Sequence, residues 1–561
     1  MKNLLVSWCM VLMIAGSCEK STRQIAYDEA VPDGDSSTGG DIDTSVENEL
    51  PDTAENEEAE PDNDILLVDE EKEDSISEPD EDLITKTPCL ETGEGCGPTE
   101  ICLYDWSLNG YYCEDACDPA IADSCPPGMV CEAVAGDQNY GCFLPAYIAG
   151  RVFDLSGIGY PPIEGARVSA TNTKSGEATD VSITGADGSY AIAVPLTRQR
   201  NGMPTPGEVY TLRAAAQDYD PYPGVIRVAL PILMDTFVRT ANGYFVSSGF
   251  LDIGLLPLPD EKKGGFTVSG VLSEPMSSVL IIARCAEAPC PFTFTGADGD
   301  FVLFNVQPGD YEMAAIKSGM AFSSVPITVV DADISDILLE RIADPDLGSI
   351  TGQINIVNAP GGLKTSVVLM AEETFIPGFD KGEIVPGLRA PEPPAPPNIS
   401  GAYTIAGIPA GRYVVLAAFE NDHLVRDPDP GIAGTQILHL TIPDSNGDWD
   451  ISLPNFKVTE AIAIISPGAD APEEVDGENL VFVWEDDASE TNYNIKVYNA
   501  YGTVVWEKTI PGSTGTQQVS LPYDGEKLSG YYQWRVTSLK SGKPISMSED
   551  LRGIFYIGLP W

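Results

Sequence analysis

From Ala146 onward, apolar and polar residues alternate in short runs that are interrupted by Gly, Pro, Asn and Asp. β-branched and aromatic residues fill the apolar positions, and strand-like runs recur about every 8–12 residues. No long segment has the 3.6-residue period of an amphipathic helix. The pattern therefore predicts an all-β chain of tandem β-sandwich domains.

One short stretch occurs twice in this region. The letters "TGADGSYAI" run from Thr184 to Ile192, and "TGADGDFVL" runs from Thr295 to Leu303. An Asp-Gly pair between two strand-like runs is typical of a hairpin turn, because glycine accepts a positive φ without strain. A calcium loop would need six or more oxygen ligands, which this stretch does not supply. We therefore expect a structural hairpin turn.

The copies share an order of parts: a strand with Gly, a second strand, a turn into an aromatic strand, and a Gly turn into a Tyr strand. This order resembles the carboxypeptidase regulatory-like family, whose fold is a transthyretin-like or Ig-like sandwich. The resemblance covers about residues 147–457 and rests on "GRVFD…GARVSAT…ADGSYAI", "ADGDFVLFNVQPGDYEMAA" and "SGAYTIAGIPAGRYVVLAA". It implies three accessory, non-catalytic domains at residues 147–260, 264–343 and 347–458.

Two of these copies carry an insertion. The first contains "PLTRQRNGMPTPG" ahead of its Tyr strand, and the third contains the proline-rich "PGLRAPEPPAPPN". Their Pro and Gly content is typical of loops. We expect both insertions to be surface loops, the second stiffened by polyproline.

The last part of the chain, residues 461–561, has strands interleaved with Trp484, Trp506 and Trp534. It resembles a fibronectin type III domain from about Ile464 to Trp561. The resemblance places Trp484 in the inner core. It also implies that Tyr532, two residues before Trp534, forms a tyrosine corner.

Charge is strongly acidic and unevenly distributed. The 561 residues carry a net charge of −55, a surface that repels phosphate, so a nucleic-acid partner is not expected. Between residues 19 and 86 there are 25 acids and 4 bases and few aromatic residues. This segment is predicted to be a disordered acidic linker, because it cannot bury enough apolar area to offset chain entropy.

The first 18 residues resemble a bacterial lipoprotein signal peptide. Lys2 precedes a short apolar run, and "AGSC" ends at Cys18, the residue that would carry the lipid. Simple secretion is the alternative, because Ala15 stands where Leu is commonest. By resemblance to the known sorting rule, Glu19 favours the outer membrane over the inner membrane. The expected location is the cell envelope, with the lipid attaching the chain to a membrane.

Cysteines indicate an oxidising compartment. Of 12 cysteines, ten remain after Cys9 and Cys18 are set aside, and eight of them repeat one spacing within residues 87–145. We expect two tandem disulfide modules, which leaves nine possible pairings, and a small loop closed by the last two cysteines. Zinc is the rival interpretation, but paired C-x2-C knuckles do not occur. The predicted disulfide cysteines are Cys89, Cys96, Cys102, Cys113, Cys117, Cys125, Cys131, Cys142, Cys285 and Cys290.

One stretch, "DSNGDWDI", resembles the first half of a calcium loop. It has oxygen-bearing side chains at alternate positions: Asp444, Asn446, Asp448 and Asp450. It departs from the EF-hand pattern because Trp449 replaces the required Gly and Asn455 replaces the final Glu. The interpretation that we favour is an ordinary Asp/Asn/Gly turn ahead of the strand "WDISLP", and a calcium loop is the alternative. Calcium is the one cofactor that the sequence suggests.

Catalytic chemistry has little support in the sequence. His423 and His439 are the only histidines, and no nucleophile, zinc-protease or phosphate-loop motif occurs. We expect a non-enzymatic surface adhesion or scaffold protein whose partners are other envelope proteins or glycans. The alternative function is a carbohydrate-binding lipoprotein in which Tyr219 and Tyr222 stack on sugar. For these two residues themselves, the interpretation that we favour is a Tyr-Pro turn packed on its own domain.

Overall fold

The protein, described here from a computed structural model, is built almost entirely from β-strands and loops. The structure describes residues 86–121, 123–248, 250–357, 365–392, 395, 398–417, 423–426, 428, 437–513 and 517–558. Two 3₁₀ turns, Asp260–Lys262 and Glu372–Thr374, are the helical segments of that part, and neither has the length or apolarity to cross a membrane. The predicted all-β class is confirmed. The predicted signal peptide, Cys18 and residues 19–85 of the linker lie outside the described residues.

Residues 86–143 form two small cysteine modules of the same design. Their hairpins are β1 (Glu100–Asp105) with β2 (Gly110–Asp115), and β3 (Val130–Ala133) with β4 (Tyr140–Phe143). In each module the first cysteine bonds to the third and the second to the fourth. The bonds are Cys89–Cys102, Cys96–Cys113, Cys117–Cys131 and Cys125–Cys142. One of the nine open pairings is thus selected, and the cysteines that lie close enough to hold a metal ion are in disulfides.

Sandwich 1 comprises residues 146–257. Its strands are β5 (Ala146–Asp154), β6 (Arg167–Asn172), β7 (Ser182–Ile183), β8 (Ser189–Ala193), β9 (Val209–Ala215), β10 (Tyr219–Asp220), β11 (Ile232–Leu233), β12 (Phe237–Thr240), β13 (Gly243–Val246) and β14 (Ile253–Pro257). One sheet has the order β10-β14-β5-β13-β12, with β8 also on β5, and the other has the order β11-β9-β6-β7. In β8 and β9 every second side chain is buried, as the alternating pattern predicts.

Sandwich 2 comprises residues 266–339. Its strands are β15 (Phe266–Leu272), β16 (Leu280–Arg284), β17 (Phe292–Phe294), β18 (Asp300–Val306), β19 (Gly309–Ile316), β20 (Val325–Val329) and β21 (Ile334–Leu339). They form a sheet of order β18-β15-β21 and a sheet of order β17-β16-β19-β20. The first four side chains of β16 are all buried, so both faces of this strand are covered.

Sandwich 3 comprises residues 348–460. Its strands are β22 (Gly348–Val357), β23 (Val367–Ala371), β24 (Ile384–Ala390), β25 (Ala402–Ile408), β26 (Gly411–Ala417), β27 (Leu424–Arg426), β28 (Leu438–Ile442), β29 (Asp450–Ser452) and β30 (Phe456–Glu460). The sheets have the orders β25-β22-β30-β27, with β29 also on β22, and β24-β23-β26-β28. Leu280, Ile282 and Ile316 of sandwich 2 join the core of sandwich 3, which explains why β16 is buried on both faces.

Sandwich 4 comprises residues 464–557. Its strands are β31 (Ile464–Ser466), β32 (Glu473–Glu474), β33 (Val481–Glu485), β34 (Asn492–Asn499), β35 (Val504–Pro511), β36 (Gln518–Pro522), β37 (Gly530–Lys540), β38 (Lys543–Met547) and β39 (Ile554–Ile557). The sheets have the orders β31-β33-β36 and β32-β39-β37-β34-β35, with β38 also on β37. Trp484 is fully buried as expected, and the Tyr532 hydroxyl donates to the Ser529 carbonyl at 2.9 Å, the bond of a tyrosine corner.

The first three sandwiches share a strand plan. In each, the opening strand pairs antiparallel with the aromatic strand and parallel with a strand near the end of the domain. The parallel pairs are β5 with β14, β15 with β21, and β22 with both β29 and β30. This shared plan is what the repeated sequence pattern encodes.

The repeated Asp-Gly turn is structural, but it is not a hairpin. In sandwich 1 the strand before it, β7, pairs with β6, whereas the strand after it, β8, pairs with β5 in the opposite sheet. The turn in sandwich 2 likewise joins β17 on β16 to β18 on β15. The expectation of a hairpin was therefore wrong, because an Asp-Gly turn also suits a corner where the chain crosses between sheets.

A buried threonine explains why the repeat begins with Thr. The hydroxyl of Thr184 donates to the carbonyl of Ile163 at 2.6 Å and accepts from the amide of Ala166 at 2.9 Å. Thr295 makes the same pair of bonds in sandwich 2, to Met276 and from Val279. Each threonine thus satisfies two backbone groups at a buried corner.

The Tyr strands also share one bond. The hydroxyls of Tyr311 and Tyr413 each donate to the carbonyl four residues upstream, at 2.8 Å. Tyr210 donates to Pro195, 15 residues upstream, at 2.5 Å. The insertion in sandwich 1 therefore lies inside this tyrosine turn without removing its hydrogen bond.

That first insertion is not a surface loop. Arg198 within it is fully buried, and its Nε donates to Glu132 of the second cysteine module at 2.5 Å. Burial raises the pKa of Glu132, although Arg198 opposes the shift. Arg200 forms a 2.8 Å ion pair with Asp137 of the same module. The insertion is the anchor between the cysteine modules and sandwich 1. The first five residues of the second insertion belong to strand β24, with Leu388 buried, so this part of it is not a surface loop either.

Candidate functional site

The two tyrosines considered for sugar stacking pack on sandwich 1. Tyr219 donates to the Asp154 carboxylate at 3.3 Å. Tyr222 donates to the Val228 carbonyl at 3.2 Å, and the Arg227 guanidinium lies 5.0 Å from its ring centroid. Both rings contact the sandwich 1 core. This geometry favours the packed Tyr-Pro turn, and sugar binding by this pair remains a prediction.

The acidic stretch of sandwich 3 folds as a turn closed by its own first carboxylate. Asp444 Oδ1 accepts hydrogen bonds from the amides of Asn446 and Asp448 at 2.8 and 2.9 Å. These bonds hold the pKa of Asp444 below its usual value. Asp450 instead accepts from the Ser349 hydroxyl at 2.6 Å, at the start of β29. The carboxylates of Asp444 and Asp450 are thus engaged in the fold, and calcium binding here remains a prediction.

The two histidines occupy separate structural positions. His423 has a φ of 67°, and its amide donates to Glu549 in sandwich 4 at 2.7 Å. His439 lies on β28, with Nδ1 3.4 Å from Glu372 and its ring edge-on to Phe375. Neither of these contacts pairs an imidazole with a nucleophile.

The principal constellation revealed by the structure is a joint where sandwiches 1, 3 and 4 meet. A separate apolar cluster joins them. Its buried members are Leu155, Ile226 and Leu256 of sandwich 1, Phe379 of sandwich 3, and Tyr498, Ala500, Tyr531 and Tyr556 of sandwich 4. Each belongs to the outer side of its own domain, since none is part of the four main sandwich cores. The three domains therefore share a buried contact surface.

Polar groups fix the geometry of this joint. The Lys381 ammonium of sandwich 3 donates to the carbonyls of Gly224, at 3.0 Å, and Val225 in sandwich 1. Burial lowers the pKa of Lys381 to about 8. The Arg535 guanidinium of sandwich 4 lies 4.2 Å from the ring centroid of Phe379 in sandwich 3. Hydrogen bonds and cation–π contacts are directional, so they restrict how the domains dock.

Two charged side chains of sandwich 1, Asp220 and Arg227, are partly buried beside the joint. The Arg227 guanidinium lies 5.0 Å from the ring centroid of Tyr222 and 5.4 Å from that of Tyr531 in sandwich 4. Burial lowers the pKa of Arg227. Burial raises the pKa of Asp220 to about 6, although Arg227 and Lys381 oppose this shift. Asp220 is therefore a carboxyl group of this joint whose pKa is raised above its usual value by burial.

A second joint connects sandwiches 2 and 3. The Cys285–Cys290 disulfide closes a short loop, and the Cys290 amide donates to the Glu373 carbonyl at 2.7 Å. The Glu373 carboxylate is 3.2 Å from Arg284 of sandwich 2 and 3.5 Å from Arg412. A cleft of about 530 Å³ lies along this seam, open to solvent and lined by residues of both domains. Its buried acid is already held by two arginines, so the seam has the character of a structural contact.

Sequence reasoning missed these joints. Lys381 lies in "GFDKGE", a stretch that is typical of an exposed turn. One feature of the sequence indicates a joint. Large aromatic residues, Tyr498, Tyr531 and Tyr556, occupy strand positions that face away from the core of sandwich 4, where a strand facing solvent would carry polar residues.

Comparison with known proteins does not assign this chain to a family. No protein-family profile matches the chain, and no curated protein matches it by sequence. The carboxypeptidase regulatory-like resemblance therefore remains a prediction.

Several solved structures share the β-sandwich architecture at low similarity. The Bacillus anthracis TIE protein is 12% identical over 77% of this chain and 75% of its own, with a TM-score of 0.14. GBS52, the minor pilin of Streptococcus agalactiae, is 13% identical over 36% of this chain and 99% of its own, with a TM-score of 0.16. The FN1–FN3 domains of chicken CNTN1 are 11% identical over 51% of this chain and 96% of their own, with a TM-score of 0.12. Scores this low do not transfer a function, and the assignment of tandem Ig-like sandwiches rests on the strand plan.

Proposed function

We propose that this chain is a non-enzymatic, lipid-anchored protein of the cell envelope that acts as a surface adhesion or scaffold module. The observation that carries the proposal is the three-way joint, in which Lys381, Phe379 and Tyr531 help to tie sandwiches 1, 3 and 4 together. Such a joint holds the domains and their loops in one fixed arrangement. Adhesion and scaffolding depend on a fixed arrangement of surfaces, whereas catalysis depends on a cleft with reactive groups.

Attachment to the membrane is the second element of the proposal. The predicted lipid on Cys18 would hold the chain at the envelope, because each buried methylene contributes about 0.8 kcal/mol. Other envelope proteins are the partners that we propose. Nucleic acid is not among them, since the net charge is −55.

Fractionation of cells that express the full chain tests the anchor. The wild-type chain should be found with the membranes, and Cys18→Ser should release it. Cys9→Ser is the matched control, because it changes a cysteine of the same segment that carries no lipid in this proposal. Recovery of the wild-type chain in the cytosol would contradict the proposal.

Protease treatment of intact cells then tests exposure. An antibody against residues 461–561 should lose its signal if the sandwiches face outward, which is the outcome expected of an adhesion module. Protection until the outer membrane is permeabilised would restrict the proposal to a scaffold within the envelope. A signal that resists protease even after permeabilisation and lysis of the outer compartment would oppose both forms.

A further inference from the structure

The hairpin tip of the first cysteine module presents two apolar side chains on a fixed turn. Trp106 is 49% exposed and Leu108 is 51% exposed. The Asp105 carboxylate accepts from the amides of Ser107 and Leu108 at 2.8 and 3.1 Å, and it pairs with Lys86 at 2.6 Å. These bonds order the turn in advance, so a ligand that binds there does not have to order it.

The indole itself is also held in place. Trp106 Nε1 donates to the Asn201 carbonyl of the anchoring insertion at 3.3 Å, and the Arg239 guanidinium lies 5.0 Å from the ring centroid. Tyr104 packs edge-on at 5.0 Å and donates its hydroxyl to Asn109 Oδ1. About half of the tryptophan nevertheless remains exposed. A rigid, exposed indole accompanied by an exposed amide and a guanidinium is a surface suited to binding.

The size and charge of this tip limit what can bind. A stable protein interface covers about 800 Å² on each partner, and two half-exposed side chains on a narrow turn provide only a small part of that area. A polyanion would be repelled by a chain of net charge −55. A neutral saccharide meets both limits, because one sugar ring has an apolar C–H face of about the size of an indole and a rim of hydroxyl groups.

We propose that Trp106 and Leu108 form a binding site for neutral polysaccharide. The apolar face of a sugar ring packs on the exposed part of the indole, and its hydroxyls hydrogen-bond with the Asn109 amide and the Arg239 guanidinium. Binding by one site is weak, because the tip is open and contacts one or two rings. A polysaccharide that engages many copies on one surface gains avidity. This activity goes beyond the proposed scaffold function, which does not require it.

Affinity electrophoresis of the full chain tests the site. Soluble starch, a β-1,3-glucan and a galactomannan are cast in native gels, with alginate as the anionic comparison. We expect at least one neutral polysaccharide to retard the wild-type chain. Trp106→Ala should weaken that retardation about tenfold, and Trp106→Phe, which keeps a ring, should retain part of it.

Two further variants guard against misfolding. Leu108→Ser changes the second apolar side chain of the tip and should also weaken retardation. Val505→Ala, at a 43% exposed valine of sandwich 4, should leave it unchanged. The proposal is overturned if no neutral polysaccharide retards the wild-type chain, if Trp106→Ala and Leu108→Ser are retarded as strongly as wild type, or if alginate alone causes retardation.

Discussion

The hydroxyl of Tyr501 in sandwich 4 donates a 2.7 Å hydrogen bond to the carbonyl of Pro257 in sandwich 1, across 244 positions of the chain. The next residue, Gly502, has a φ of 79°, and a Cβ placed on it would lie 2.9 Å from a Val225 side-chain carbon of sandwich 1. The turn between β34 and β35 is therefore fitted closely against another domain. Close fitting of this kind should couple the unfolding of the two domains.

Substitution at this turn should uncouple sandwiches 1 and 4. Gly502→Val introduces both backbone strain and a clash with Val225, with a cost of about 1–3 kcal/mol from the strain alone. We expect calorimetry to show one transition for these domains in the wild-type chain and two in the variant. Gly542→Val is the matched control, because Gly542 has a similar φ of 80° and open space around it. Identical traces for both variants would contradict the coupling.

The repeated corner turn should be sensitive to a side chain at its glycine. A Cβ on Gly188, which has a φ of 74°, would lie 2.4 Å from the Val152 carbonyl oxygen. Gly188→Val should therefore lower the free energy of unfolding by more than about 1 kcal/mol. Gly165→Val provides the comparison, since Gly165 has a φ of 75° with no atom within 4 Å. Equal denaturation midpoints for the two variants would show that the close approach has no effect.

The two corner threonines should have equal importance. Thr184→Val and Thr295→Val keep the side-chain shape but remove a hydroxyl that satisfies two buried backbone groups in each sandwich. Each should cost about 1–3 kcal/mol, measured by urea denaturation of the full chain. Thr351→Val, at an exposed position on β22, should cost less than about 0.5 kcal/mol. If Thr184→Val and Thr295→Val cost no more free energy of unfolding than Thr351→Val, the two hydrogen bonds would not explain why the repeat begins with Thr.

The sequence predicted those features of the fold that depend on residues close together in the chain. The alternation of apolar and polar residues along β8 and β9 predicted their buried faces correctly. The repeated Tyr strands indicated the same turn in three domains, including sandwich 1, where an insertion precedes Tyr210. The Asp-Gly sequence predicts a structural turn, but it does not distinguish a hairpin from a corner where the chain crosses between sheets. That difference depends on which strand lies alongside, a contact between distant residues.

Contacts between domains could not be predicted in the same way. Periodicity reports which face of a strand is covered by its own sandwich, and it does not report what covers the other face. Arg198 lies in a loop rich in Pro, Gly and Arg that is typical of a surface, yet the side chain is fully buried against Glu132. Buried charges of this kind depend on a partner supplied by another domain.

Peptide mapping without reduction should recover the cysteine pairing. We expect the linked pairs Cys89–Cys102 and Cys96–Cys113, and the equivalent pairs in the second module. Loss of Cys96–Cys113 through a double Ser substitution should destabilise the first module by about 3 kcal/mol, because the bond closes a loop of 17 residues. Removal of the Cys285–Cys290 disulfide, which closes a loop of five residues, should lower the free energy of unfolding by less. Peptides linking Cys89 to Cys96 would contradict the pairing.

Asp220 should make the stability of sandwich 1 depend on pH. Burial raises the pKa of this carboxyl to about 6, with Arg227, Lys262 and Lys381 opposing the shift. Because the native pKa exceeds the unfolded value of about 3.9, the native state binds the proton more tightly. This contribution to stability is fully present below about pH 4 and is lost as the pH rises through 6.

Asp220→Asn removes that titration. The variant should therefore gain free energy of unfolding relative to wild type as the pH rises from 4 to 7, by at most about 3 kcal/mol. Urea denaturation at several pH values measures this difference, and the exposed Asp235→Asn serves as the control. The sign is diagnostic: if the difference between variant and wild type shrinks as the pH rises, the carboxylate is stabilised in the native state by its cationic neighbours. A difference that stays constant would mean that Asp220 does not titrate in this range.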